Sequence, residues 1–201
     1  MRKELPHFHI EDCLGGNQDW FRDLVMRVGG CAAVTACDLC IVMTLNGYSD
    51  SLIPFDRQDL TREHYLEFGK IMKPYLHPRL SGITKLATYT EGLSSYLRNN
   101  TDMGDHLHME SIPGSTAQEE AQECVRRQID RGLPVVYLLL KHADPRFEEY
   151  EWHWFLLNGY DDSGDSFQVQ AVTYGEAEWM DFPSLWDTGK DLRGGMVLVH
   201  R

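Results

Sequence analysis

The chain has 201 residues, of which 42% are hydrophobic and 25% are charged, and its formal net charge is −12. This length and composition are typical of one globular domain that buries a full core without disulfides or metals, so we expect residues 1–201 to form a single domain. The negative charge argues against a surface for nucleic acid or anionic lipid, because Lys and Arg must supply that attraction.

The first residues and the cysteines give an expectation of where the protein works. The N-terminal MRKELPHFHIEDC lacks the roughly 7–15-residue apolar stretch of a secretory signal. No apolar run approaches the ~20 residues needed to cross a bilayer. Five cysteines, three of them inside one apolar segment, do not form the regular pattern of a disulfide framework. We therefore expect a cytoplasmic protein with free thiols and no membrane association.

The first part of the chain shows helical periodicity after an irregular start that extends to about Gly16. Apolar residues at helical spacing predict a helix over 19–28. A second helix begins at Cys31, and its sequence CAAVTACDLCIVM is too apolar on all sides for a surface helix. The sequence therefore predicts a central, buried helix at this point.

Further helices follow along the chain. Apolar spacing predicts helices over about 61–73 and 87–97. The polar stretch 99–115 is predicted to be a connection. A fourth helix extends through Arg131, with its cap in the Ser-Thr pair at 115–116.

After Gly132 the periodicity changes from helix to strand. Four segments have the pattern of strands, namely VVYLLL, HWFLLNGY, SFQVQAVTY and GGMVLVHR. Between the second and third, the composition of 161–165 predicts a hairpin turn. Helices followed by strands with short connections favour an α+β fold with an antiparallel sheet over βαβ repeats.

Cys31 is the strongest candidate for a catalytic residue. Gly29 and Gly30 precede it and carry no side chain that would block a substrate. The positive end of a helix and a nearby imidazolium both lower the pKa of a thiol, and His153 opens a later strand that can supply the imidazole. This arrangement predicts a thiolate nucleophile whose alkylation rate is nearly constant from about pH 6 to pH 8.

Structural interpretations of the same residues stay open. Buried cysteine behaves as a small hydrophobe in most cores, and His153 between two tryptophans is also compatible with a core histidine. Cys37 and Cys40 form a CxxC pair, but their position inside an apolar helix argues against a redox or zinc site. The sequence also lacks a phosphate-binding glycine motif. We expect no cofactor and no metal.

The order of these features resembles the papain-like cysteine peptidases. The shared features are a cysteine on a central helix, further helices, a strand after Gly-Leu-Pro, and His-Trp at the head of a strand that ends Gly-Tyr-Asp-Asp. The chain is most similar to the bacteriocin-leader-processing peptidases and their stand-alone bacterial relatives, and FPSLWDTGKDLRGGMVLVHR resembles the family's closing segment. The resemblance implies a papain-like α+β fold, in which N-terminal helices, including the central helix that bears the cysteine, pack on a C-terminal antiparallel sheet.

The resemblance also implies roles for individual residues. Cys31 is then the nucleophile and His153 is its base. The family places an Asp or Asn about 16–18 residues beyond the histidine to orient the ring, and Gln170 stands in that window. The glutamine that binds the oxyanion lies about six residues before the cysteine in the family, whereas the candidates here are Gln18 and Asn17, further upstream.

Three functions are compatible with these residues. The first is a thiol hydrolase that cleaves a peptide, isopeptide or amide bond in a peptide or protein substrate. A thiol acyltransferase would use the same residues, with an amine or thiol in place of water. The third is a non-catalytic relative that binds a peptide or protein partner in the cleft, which the lack of an acidic partner for the histidine favours. The oligomeric state stays open.

Overall fold

A seven-stranded antiparallel sheet lies at the centre of the protein. The computed structural model describes residues 1–201. The strands are β1 (Arg2–Glu4), β2 (His9–Ile10), β3 (Cys13–Leu14), β4 (His108–Pro113), β5 (Val135–Leu139), β6 (His153–Asp161), β7 (Gln168–Thr173), β8 (Glu176–Asp181) and β9 (Gly194–His200). The sheet has the order β4-β9-β5-β6-β7-β8, and β1 pairs with the end of β6. Strands β2 and β3 form a separate hairpin.

Six α-helices surround this sheet. They are α1 (Leu24–Gly29), α2 (Cys31–Leu45), α3 (Arg62–Leu76), α4 (Leu86–Asn100), α5 (Gln118–Asp130) and α6 (Phe182–Trp186). Short 3-10 helices cover Gln18–Trp20, Asp50–Leu52 and Pro145–Tyr150. No helix combines the length and the apolar character that crossing a membrane requires.

Both faces of the sheet are buried, so the protein has three layers. Trp154 and Leu156 of β6 belong to a core cluster with α2, α3 and α4. Phe155 and Leu157 point to the opposite face and belong to a second cluster with α5 and α6. Side chains of a strand alternate between the two faces, and this double burial is why β5 reads as an unbroken apolar run.

Helix α2 is the innermost helix. All of its residues except Leu45 are buried, and it packs between β6 and α3. A helix that is covered on all sides needs no polar face, which explains its uniformly apolar sequence.

The N-terminal end of α2 is fixed to the head of β6. The ladder between β6 and β7 begins only at Leu156, and the peptide groups of Trp154 bond side chains of α2 instead. The Trp154 carbonyl accepts a hydrogen bond from Thr35 Oγ1 at 3.0 Å. The Trp154 N–H faces the sulfur of Cys31. These two contacts place the first turn of α2 beside the first residues of β6.

The coarse sequence predictions are confirmed. The protein is α+β with an antiparallel sheet, and a helix begins at Cys31. The predicted hairpin after Asp161 joins β6 to β7. The papain-like specifics of the fold stay a proposal.

Several boundaries are corrected. The stretch 99–115 contains β4 rather than only a connection, and the irregular start contains β1. Both strands are mostly exposed, so they lack the apolar alternation that marks a half-buried strand. The predicted helix over 19–28 divides into a 3-10 turn and α1. Helix α5 starts at Gln118 without a side-chain cap.

Thr35→Val is expected to lower the free energy of unfolding by about 1 kcal/mol, because it removes the hydrogen bond to Trp154 and keeps the side-chain shape. Urea unfolding followed by circular dichroism measures this change. Thr90→Val is the control, since the Thr90 hydroxyl bonds only a carbonyl of its own helix. Equal stability of both variants would show that the contact between α2 and β6 contributes nothing.

Candidate active site

Cys31 and His153 line one cleft between α2 and the sheet. The cleft has a volume of about 520 Å³, and Gln18 lies on its wall with them. Cys31 is the first residue of α2 and His153 is the first residue of β6. The contact between these two elements therefore brings together residues that are far apart in the sequence.

The glycines before Cys31 are required by backbone packing. A Cβ atom on Gly29 would lie 1.7 Å from the carbonyl oxygen of Arg79, and one on Gly30 would lie 2.1 Å from that of Met26. A side chain at either position would displace the backbone that holds the start of α2. The sequence predicts that these glycines give a substrate access to Cys31, and the structure shows that they are also needed for close backbone packing.

His153 is held by the last residue of β7 and by the residue that follows it. Its Nε2 atom lies 2.7 Å from Thr173 Oγ1, and its ring stacks on Tyr174 with 4.5 Å between centroids and 8° between planes. No hydrogen bond within the protein uses Nδ1, and none joins the imidazole to the sulfur of Cys31. The ring is thus fixed at one nitrogen, and the other is available for a proton.

The expected contact between Gln170 and His153 is wrong. Gln170 donates to Glu4 Oε2 at 2.9 Å, and it pairs with Gly159, six residues beyond His153 on β6. The side chain that meets the ring is Thr173, which the sequence analysis did not single out.

The two candidates for the oxyanion site separate. The Asn17 side chain accepts from the N–H of Asp19 and caps the 3-10 helix that follows. Gln18 lines the cleft, its side-chain amide makes no hydrogen bond within the protein, and its Oε1 atom is buried without a partner. The Gln18 amide is therefore free to meet a substrate, whereas the Asn17 side chain is held through its Oδ1 atom by the cap and is not among the residues that line the cleft.

Burial keeps both members of the Cys-His pair neutral in the free protein. Burial raises the pKa of the Cys31 thiol, and hydrogen bonds from the N–H groups of Trp154 and Ala32 oppose this only in part. Burial also lowers the pKa of His153 to about 4. The prediction of a thiolate beside an imidazolium is therefore wrong for the resting state, because the pair lies deeper than the sequence indicated.

Apolar side chains form the exposed rim of the cleft. Val28, Leu80, Trp152 and Tyr174 are 52%, 65%, 40% and 43% exposed, respectively, and all four line it. Trp152 and Tyr174 also have left-handed backbones, with φ of 56° and 54°. Such a conformation is costly for a bulky residue and concentrates at functional sites. The sequence shows neither the strained backbone of Trp152 and Tyr174 nor their proximity on the rim.

The cysteines and the other potential metal ligands of the chain are candidates for a second site. The five cysteines are free thiols. No group of three or more His, Cys, Asp or Glu side chains is arranged to hold a metal ion.

Alkylation of Cys31 by iodoacetamide is expected to accelerate steeply between pH 6 and pH 8, contrary to the flat profile that the sequence suggested. The reason is that thiolate is the reactive form and burial raises the pKa of this thiol. Mass spectrometry of the labelled peptides measures the rate. Cys40, whose pKa burial raises to about 12, is the internal control and should stay unlabelled. A rate that does not change with pH would mean that the ion pair exists in the free protein.

No family model, no curated protein and no solved structure matches this chain. Function must therefore be inferred from the geometry and chemistry of the cleft.

Proposed function

We propose that the protein is a papain-like thiol hydrolase that cleaves a peptide, isopeptide or amide bond. The observation that carries this proposal is the meeting of Cys31, His153 and Gln18 in one cleft. These three residues supply a nucleophile, a base and an oxyanion donor. The bond between His153 Nε2 and Thr173 supports it further, because it leaves Nδ1 to act on the thiol.

The reaction follows from these positions. Because the thiol is protonated at rest, His153 takes its proton as Cys31 Sγ attacks the substrate carbonyl carbon. The side-chain amide of Gln18 and the backbone N–H of Cys31 donate to the oxyanion. The C–N bond then breaks, and His153 gives the proton to the departing amine. Water hydrolyses the resulting thioester by the same route, which releases the acid and restores the thiol.

Thr173 occupies the position next to His153 that an Asp or Asn occupies in the papain-like peptidases. The proposed mechanism requires the tautomer in which Nε2–H donates to the Thr173 hydroxyl oxygen, because that tautomer presents a basic Nδ1. A neutral hydroxyl adds no charge to stabilise an imidazolium. Thr173 therefore orients the base without raising its pKa.

The rim indicates which substrates fit. Large exposed apolar residues beside a concave polar centre are typical of ligand sites. Trp152 and Tyr174 line the cleft beside the base, and the ring of Tyr174 stacks on that of His153. We expect the substrate to carry an apolar side chain near the bond that is cleaved.

A peptide-binding protein without catalysis is the second candidate. It is favoured by the neutral state of both Cys31 and His153, since a base whose pKa lies at about 4 is weak at neutral pH. In this case the cleft and its rim bind the peptide, and the sulfur is inert.

A mixed peptide library distinguishes the two candidates. The full chain is incubated with the library, and mass spectrometry detects new termini and the thioester on Cys31. The hydrolase produces both, and Cys31→Ala abolishes both while it still binds peptide. If wild-type protein binds members of the library and neither cleaves nor acylates, the binding function holds and hydrolysis is refuted.

Thr173→Val is expected to lower the rate of Cys31 acylation by about tenfold or more, because the ring of His153 loses its fixed orientation. p-Nitrophenyl acetate, followed by release of nitrophenolate, measures this rate. Gln170→Ala is the matched control on the same strand and should leave the rate unchanged, since Gln170 bonds Glu4. A loss with Gln170→Ala and none with Thr173→Val would reverse the assignment.

Trp152→Ala is expected to weaken binding of apolar peptides by about tenfold, the effect of losing one aromatic contact worth about 1.4 kcal/mol. Titration calorimetry with a peptide selected from the library measures the dissociation constant. Leu45→Ala removes an exposed apolar side chain at the far end of α2 and serves as the control. Similar weakening by both variants would show that the rim is not the binding surface.

A further inference from the structure

One buried carboxylate near the cleft has no part in the mechanism described above. Asp38 is 6% exposed and lies on α2, seven residues after Cys31. Seven residues are nearly two helical turns, so the two side chains lie on the same face of the helix. A buried carboxylate costs stability unless hydrogen bonds compensate it, so its presence as the one charged residue of this buried helix calls for a role.

Asp38 holds the segment that carries Gln18. Its carboxylate accepts from the N–H of Gly16 at 3.2 Å to each oxygen, and from Tyr65 Oη at 2.7 Å. A Cβ atom on Gly16 would lie 1.9 Å from that same hydroxyl oxygen, so only glycine fits there. The carboxylate thus fixes the backbone two residues before the oxyanion donor.

Asp38 also shares a cavity with the Cys-His pair. A narrow cavity continues inward from the cleft and is lined by Cys31, Asp38, His153 and Thr173, with Gln18 at the side shared with the cleft. Its volume for solvent is about 10 Å³, close to the space that one water molecule needs. No bulk solvent therefore separates the carboxylate from the imidazole to screen its charge.

Asp38 is the group in these surroundings that changes charge near neutral pH. Burial raises its pKa to about 7, although the hydrogen bonds from Tyr65 and Gly16 oppose the rise. The titratable groups that face it from the neighbouring elements are Cys31 and Cys37 of α2, Tyr65 of α3, Tyr89 of α4, His7 of the N-terminal segment, His153 of β6 and Tyr174 after β7. Burial moves the pKa of each of these away from 7 in the direction that favours its neutral form.

We propose that Asp38 is a positioning residue of the active site, which fixes the Gln18 segment and whose carboxylate charge stabilises the imidazolium of His153 across the shared cavity. This inference rests on the proposed function. In this proposal Asp38, on the same helix as Cys31, supplies the negative charge that the neutral hydroxyl of Thr173 does not provide.

The charge has a defined effect on the rate. As the thiol proton moves to His153, a positive charge forms in the imidazole, and an opposite charge nearby favours it. The carboxylate is ionised above its pKa and neutral below it. Acylation above about pH 7, where Asp38 is ionised, is therefore faster than it would be with a neutral Asp38. The factor is roughly tenfold if the carboxylate raises the pKa of the imidazolium by one unit.

Acylation of the full chain by p-nitrophenyl acetate tests this from pH 5.5 to pH 8. The ratio of the wild-type rate to the Asp38→Asn rate is expected to rise from about one at the acid end to roughly tenfold, because only the wild type gains a charge. The asparagine carbonyl still accepts from Gly16, so a purely structural role of Asp38 would give a ratio that does not change with pH. In a His153→Ala background the ratio should be flat.

Tyr65→Phe provides an independent test, because the inference predicts the direction in which the midpoint of the pH profile moves. The Tyr65 hydroxyl lowers the pKa of Asp38, so its removal should move the midpoint of the rise to higher pH while the carboxylate is kept. Thr44→Val is the control for lost stability on the helix that bears Asp38, since the Thr44 hydroxyl bonds the carbonyls of Cys40 and Ser49 away from the cavity, and it should leave the midpoint in place. A midpoint that moves down or not at all in Tyr65→Phe overturns the inference.

The imidazole of His153 gives a readout that needs no reaction. In the NMR titration of the wild type, its ring carbon signal should show a step near pH 7 that Asp38→Asn removes. Absence of this step overturns the role of Asp38 whatever the enzyme does. If the step is present and the wild type is acylated no faster than Cys31→Ala, the electrostatic contact stands and the proposed hydrolase fails.

Discussion

The site depends on the backbone of Trp154, whose N–H and C=O groups connect helix α2 to strand β6. Its carbonyl accepts from Thr35 and its N–H faces the sulfur of Cys31, and both contacts exist because β7 does not pair with β6 until Leu156. A full ladder would have used these groups within the sheet. The early end of β7 therefore lets a helix bond the strand directly, and the first residue of that helix reaches the first residue of the strand.

The packing of α2 against β6 also explains why Cys31 and His153 are neutral. Because α2 is covered by the sheet on one side and by α3 on the other, Cys31 lies in an environment that disfavours charge. The positive end of the helix and the N–H groups around the sulfur act in the opposite direction, yet desolvation is the larger effect. A helix N-terminus acts over about one turn with half a unit charge, which is insufficient against complete burial. In the proposed reaction, proton transfer must therefore accompany attack rather than precede it.

The sequence predicted the parts of the fold whose burial creates a pattern. The helix at Cys31 and the buried strands carry strong apolar signals, and their order along the chain was enough to pair Cys31 with His153. The strands of the sheet that escaped prediction, β1, β4 and β8, lie at its ends or edges, where one row of backbone groups is enough to hold them and most side chains stay exposed. Asp38 escaped for a related reason, because a single polar residue in an apolar helix gives no sign of what lies beneath it.

The third member of the site shows what a spacing rule leaves out. Gln170 was chosen by its distance along the chain, but strand partners are set by their distance from the turn. Beyond the bulge of the hairpin between β6 and β7, Leu156 pairs with Val172, so His153, three positions before Leu156, faces the chain about three positions after Val172, at the turn that follows β7. The hairpin was already evident from the composition of 161–165. Counting outward from it leads past Gln170 to the segment of Thr173 and Tyr174, where the structure places both contacts of His153.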